Sequence, residues 1–216
     1  MFAMRQILLG PRGAPTPQLP YDAEVEYIQR DFNVDWDGSG GGFNILGYFA
    51  GKIPDWSTEY EAVVSAESQA ESGFGVAMMS RSGIIGFQGP CVSGQRGTYV
   101  FRNDSATIDS GVQISLGSWV AMKTVWSGGN GTHYVNGVAV GTSATTYTSS
   151  PSYVKLLHIG LSGNLVPIIL RMKSFKINGV ADLVPVVLGN ECGFYNKIDG
   201  ELFLTDNAGV TAGPRI

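Results

Sequence analysis

Apolar and polar residues alternate one by one through much of this sequence, which is the spacing of a strand with one face turned to a core. The alternation is clearest at EYEAVVSAES (59–68), FGVAMMS (74–80), IIGFQ (84–88), GTYVFRN (97–103), SWVAMKTVW (118–126), YVKLLHIG (153–160), IILRMKSFKI (168–177) and GELFLTD (200–206). AEVEYIQ (23–29) alternates as well, with Val25, Tyr27 and Gln29 on one face and Glu24, Glu26 and Ile28 on the other. No stretch carries the helical period of an amphipathic helix. Within THYVNGVAVGT (132–142), Asn136-Gly137 interrupts an apolar run. Asn-Gly tolerates the positive φ angles of a two-residue type I′ turn, so this stretch predicts a hairpin whose strands contain Tyr134-Val135 and Val138-Ala139-Val140. Gly128-Gly129-Asn130-Gly131 predicts the turn before it. So many short strands in one chain predict an all-β fold: two stacked antiparallel sheets in a jelly-roll-like sandwich.

Composition agrees with this. A chain of 216 residues, 44% hydrophobic and 15% charged, can bury one substantial core, and its 30 Gly suit corners between strands. A formal net charge of −4 without a dense Lys/Arg run removes the electrostatic basis for a nucleic-acid or acidic-membrane partner. Cys91 and Cys192 lack metal-ligand spacing and are too few for a disulfide framework; they read as free buried thiols, with a single bridge as the alternative. At the start, MFAMRQILLGPRGAPTPQLP holds only the short apolar run Ile7-Leu8-Leu9, less than a signal-peptide core or a membrane span. The chain is therefore expected to stay in the cytoplasm where it is made or to leave by lysis. Pro15, Pro17 and Pro20 make 14–20 a stiff connector between an arm, 1–13, and the sandwich, 21–216. Phe2, Met4, Ile7, Leu8 and Leu9 give the arm apolar surface suited to a partner chain, or to an edge strand folded back on its own domain or a symmetry mate.

The order SWVAMKTVWSGGNGTHYVNGVAVGT resembles the Trp, strand, turn, strand, Val-Asn-Gly, strand passage of laminin-G-like and concanavalin A-like lectin/glucanase domains. LRMKSFKINGVADLVPVV followed by CGFYNKIDGELFLTDNAGVTAGP is similar to the end of the concanavalin-like proteins of phages and prophages of gut bacteria, and YDAEVEYIQ to their opening strand. These segments span most of 21–214, while RDFNVDWDGSGGGFNILGYFAGKIPDW (30–56) departs from the pattern. The resemblance implies a concanavalin-like sandwich in which Trp119 is the core tryptophan. It also implies a non-enzymatic phage virion protein, either a surface decoration or a component of a tail or receptor-binding fibre, displaying a lectin-like domain. Such a protein would reach other virion proteins through its arm, as a homo-oligomer or part of a larger assembly. The alternative is a bacterial or prophage carbohydrate-binding module or adhesin; a glycan-cleaving enzyme is the third class.

Function has to be argued from a site rather than from a fold. A retaining glycosidase places two carboxyl groups about 5 Å apart, on this fold commonly through Glu-x-Asp-x-x-Glu, and no such string occurs here. Glu24 and Glu26 are expected at the surface, and Glu67 and Glu71 in a polar turn. A lyase needs a His and a Tyr, and only His133 and His158 are available; His158 is expected to be a packed strand residue, so no catalytic residue is assigned. For binding, sugars need an aromatic platform with amides or carboxylates beside it. VDWDGSGGG (34–42) sets Trp36 between Asp35 and Asp37, a loop that could stack a sugar or hold Ca²⁺; the alternative packs Trp36 beneath the loop. Trp56, an exposed Trp126 and Asn130 complete the expected ligand-facing set, with His133 a polar loop residue nearby. No other cofactor is expected.

Overall fold

The computed structural model describes residues 19–31, 43–46, 59–68, 74–82, 85–93, 97–103, 107–144, 153–159 and 169–216. Seventeen strands and no helix occur among them, and every strand pairing is antiparallel. The larger sheet runs β11 (Val138–Ala144), β10 (Asn130–Val135), β9 (Val120–Ser127), β4 (Glu59–Ala66), β13 (Ile169–Ile177), β14 (Ala181–Leu188), β15 (Glu191–Asn196), β16 (Leu202–Thr205). β1 (Ala23–Glu24) joins β14, and β2 (Ile28–Asp31) pairs with both β13 and β17 (Val210–Ala212). The smaller sheet is β3 (Phe43–Leu46), β12 (Tyr153–Ile159), β5 (Phe74–Ser82), β6 (Ile85–Ser93), β7 (Thr98–Asn103), β8 (Thr107–Gln113).

The core lies between the sheets because each half-buried strand turns alternate residues inward. Tyr60, Ala62 and Val64 of β4 and Val120 and Met122 of β9 meet Tyr99 and Phe101 of β7, all buried. Arg30 of β2 is also fully buried, and its Nη1 donates to the carbonyl of Leu157 in β12 at 2.6 Å, which ties the two sheets together. A buried cation needs such partners to offset its lost hydration. Leu157 itself adopts φ 48°, a conformation uncommon outside glycine.

Two slips in the alternation decide which side chains face out. At 23–31 the single strand expected from the sequence is broken, because Glu26 N–H donates to Pro214 O and Gly213 N–H donates to Tyr27 O, each at 2.8 Å. The irregular step shifts the period by one residue. Val25, Ile28 and Arg30 are therefore buried, whereas Tyr27 and Gln29 are not, a correction to the expected facing of Tyr27, Gln29 and Ile28. In β13 the pairing with β4 jumps from Met172↔Val64 to Ser174↔Val63, so Lys173 is the extra residue of a bulge. Leu170 and Met172 point inward before it, Phe175 and Ile177 after it.

Asn136 (φ 49°) and Gly137 (φ 79°) form the expected two-residue turn, with Val135 paired to Val138. The preceding turn is tighter than expected: Gly128 and Gly129 make it, and Asn130 and Gly131 already pair with Ser127 and Trp126. Cys192 is buried and unbridged, as a free thiol. The arm 1–13, most of the connector and the side chains of Cys91 and His158 lie outside the described residues.

Candidate functional site

The outer face of the larger sheet gathers aromatic and charged side chains at the place where the two slips occur. β13 projects Arg171 and, at its bulge, Lys173. The broken strand projects Tyr27, and the residue before β9 is Trp119, whose ring lies 5.8 Å from that of Tyr27. The Arg171 guanidinium sits 4.5 Å from the Tyr27 ring centre and the Lys173 ammonium 4.9 Å from that of Trp119. Both cations are held from the side. Arg171 Nε donates to Gln29 Oε1 at 2.8 Å and Nη1 pairs with Glu67 at 3.1 Å, while Lys173 Nζ pairs with Glu26 at 3.0 Å. Tyr27 rests against Gly213, where a Cβ would stand 2.8 Å from the ring, so Gly213 is what lets β17 pass close beneath it.

The same face carries three further ion pairs: Lys123 with Glu59 (2.5 Å), Lys176 with Asp182 (3.5 Å) and Lys197 with Glu24 (4.0 Å). The hydrogen bond to Glu59 holds the Lys123 ammonium above the usual lysine range. Exposed pairs of this kind contribute little stability each; their effect here is to leave the face polar and charge-balanced. Near its end a cleft of about 250 Å³ opens between the β13–β14 turn at Asn178-Gly179 and Ile198, with Glu59, Glu61, Lys176 and Asp182 along its walls. Farther along, Tyr21 donates to Glu24 Oε1 at 2.9 Å, and burial followed by that hydrogen bond pushes its phenol up to about 12.

Of the sequence-expected ligand-facing residues, Trp126 and Asn130 fall among the described ones. Trp36, Asp35, Asp37 and Trp56 lie outside the described residues, as do Phe2, Met4, Ile7, Leu8 and Leu9. Trp126 is 3% exposed, so it offers no stacking surface: its indole lies inward over Gly131, its partner on β10, where a Cβ would come within 3.0 Å of the ring. Trp119, expected in the core, stands on the outer face beside Lys173. The two tryptophans thus exchange the roles expected of them. Asn130 is exposed at the turn, where its Nδ2 donates to Gly128 O at 3.5 Å. His133 is buried rather than in a loop. No group of three or more His, Cys, Asp or Glu side chains placed to hold a metal occurs among the described residues.

Tyr27, Arg171 and Lys173 were not singled out by the sequence. Arg171 and Lys173 two apart in a strand already signal a shared polar face, but the C-terminal contacts that turn Tyr27 to it leave no local mark.

A family model described as the concanavalin A-like lectin/glucanases superfamily matches residues 51–164, more than half of the chain. Among solved structures, the native heptameric SAP-like pentraxin from Limulus polyphemus aligns with 90% of this chain and 98% of its own, at TM-score 0.51 and 14% identity. The carbohydrate binding module CBM66 from Bacillus subtilis aligns with 57% of this chain and 74% of its own, at TM-score 0.41 and 16% identity. Alginate lyase AlgAT5 of polysaccharide lyase family 7 aligns with 56% of this chain, at TM-score 0.45 and 15% identity, and the match spans only 58% of that lyase. At such identities the likeness is one of fold. No curated protein matches the sequence.

Proposed function

Because the chain belongs to the concanavalin A-like lectin/glucanase superfamily, we propose that it is a non-enzymatic glycan-binding module displayed on a phage particle, as a surface decoration or as part of a tail or receptor-binding fibre. The observation that carries the binding is the half-buried Trp119 on an outer sheet face, with the Lys173 ammonium over its ring and Tyr27, Arg171, Glu26 and Gln29 around it. An aromatic face takes the apolar side of a sugar, and flanking donors and acceptors take its hydroxyls. Among the described residues Lys173 is held by the Glu26 carboxylate alone, so its ammonium can leave the ring and donate to a hydroxyl of the incoming saccharide. Arg171 with Glu67 and Lys173 with Glu26 cancel in charge, which favours a neutral saccharide over a polyanionic one.

The particle context rests on the resemblance of the tail segments, which form β13 to β17, to phage proteins. The apolar arm 1–13 is the attachment device in this proposal, and the protein is made in the host cytoplasm and released by lysis. A bacterial carbohydrate-binding module would use the same face without particle attachment, and capsid or tail genes beside its own would favour the virion.

Screening the intact protein on a glycan array tests the binding. Retention on neutral glycans is expected. Uniform absence of binding, or a rise in reducing or unsaturated ends when the protein is incubated with mixed polysaccharides, would overturn the proposal.

A further inference from the structure

His133 of β10 is 2% exposed and faces the core. Its Nδ1 lies 2.9 Å from Thr124 Oγ1 of β9 and its Nε2 lies 2.9 Å from Ser143 Oγ of β11, so one ring bridges three neighbouring strands. The imidazole stacks on Phe101 of the opposite sheet, with centroids 4.6 Å apart and planes at 23°, and meets Trp126 edge to face at 6.2 Å. Directly across the ladder is Gly141, where a Cβ would stand 2.5 Å from Ile108 Cγ2, so β11 and β8 approach closely at this level.

We propose that His133 is an acid-sensitive latch that holds the β10–β11 hairpin, at the end of the larger sheet, against the smaller sheet. In the neutral ring one nitrogen donates and the other accepts, and two hydroxyls satisfy both. Protonation makes both nitrogens donors, so the hydroxyl that had donated must turn its hydrogen elsewhere, and a full charge is left in the core. Among the described residues the groups in contact with the ring are Phe101 from β7, Thr124 and Trp126 from β9 and Ser143 from β11, with Tyr99 of β7 in the same core and Ile108 of β8 beside Gly141, and none of these is a carboxylate. Burial raises the Tyr99 phenol, which stays neutral. A cation–π contact with Phe101 offsets only part of the cost.

Burial accordingly pushes the His133 imidazole down to about 4. Its folded value lies below the ordinary value of about 6.5. The stability contributed by the neutral ring is therefore complete above that ordinary value and lost as pH falls toward the folded one. The strands joined by the ring open first, because its two hydroxyl contacts are to β9 and β11.

Hydrogen exchange of the intact protein between pH 7 and 4.5, corrected for intrinsic rates, tests this. The opening equilibrium of the β10 and β11 amides is expected to rise by up to about tenfold per pH unit below 6.5, ahead of the β13 and β14 amides. His133→Gln, which keeps a donor and an acceptor but does not titrate, should remove that dependence, and His158→Gln should keep it. Equal loss of protection in both hairpins, or an unchanged dependence in His133→Gln, overturns the latch. Should His133→Gln fail to fold, the imidazole NMR titration of the wild type decides: a transition near 6.5 without local opening overturns it, and a ring still neutral at pH 5 with local opening supports it.

Discussion

The ammonium of Lys173 lies 4.9 Å from the centre of the Trp119 ring, and Lys173 is the extra residue of the one-residue bulge in β13. Without the bulge the strand would keep its period from Met172 onward and Phe175 would leave the core. The inserted residue therefore keeps Phe175 buried inside, while Lys173 stands beside Trp119 outside.

Trp119 and Trp126 should respond oppositely to truncation. Trp126→Ala empties a core position and is expected to cost about 3–5 kcal/mol. Trp119→Ala removes a half-buried ring with one cation on it and should cost about 1 kcal/mol or less. Chemical denaturation of the two variants measures this; equal losses would contradict the assignment.

Gly137 sits at φ 79° in the β10–β11 turn, and Asn136 at φ 49° before it accepts from Ala121 N–H at 3.0 Å through its side chain. A β-branched residue at such a φ is strained, so Gly137→Val should destabilise the domain by about 1–3 kcal/mol. The thermal midpoint should fall, and an unchanged midpoint would mean that the turn is of another kind.

Tyr99 is fully buried, and its hydroxyl has no hydrogen-bond partner among the described residues. A buried orphan hydroxyl costs about 1–3 kcal/mol. Tyr99→Phe keeps the ring and removes the orphan, so unfolding should shift to higher denaturant; a clear destabilisation would show that the hydroxyl is bonded.

Strands with one face in the core announce themselves, which is why 59–68, 118–126 and 168–177 could be read from alternation alone. β14 carries Pro185 within an apolar run and β17 is only Val210–Ala212, so neither shows that period. The facing of 23–31 was not legible either, because hydrogen bonds to Gly213 and Pro214, remote in sequence, set it. The exchange of the tryptophans was within reach. Trp119 and Trp126 are an odd number of residues apart in the alternating stretch 118–126, so they face opposite ways, and Val120 and Met122 share the inward face of Trp126. Thr124, a polar residue in that inward series, obscured it; its hydroxyl is satisfied by His133.

The proposed attachment arm, 1–13, can be tested apart from the sandwich. Its deletion should leave the β-rich circular dichroism and the solubility unchanged and remove the protein from assembled particles. Assembly at full occupancy without the arm would contradict the attachment.

The segment 34–42, outside the described residues, is a separate candidate for the same ligand. Trp36→Ala should weaken glycan binding without lowering the melting temperature if that ring flanks the saccharide. Lost stability with unchanged binding would assign it to packing.

Calorimetric titration of the wild type and Trp119→Ala with the strongest neutral ligand from the glycan array addresses the outer-face site most directly. An affinity loss of about tenfold or more, with the melting temperature nearly unchanged, is the expected result. Full affinity in Trp119→Ala would place the binding elsewhere and contradict the site.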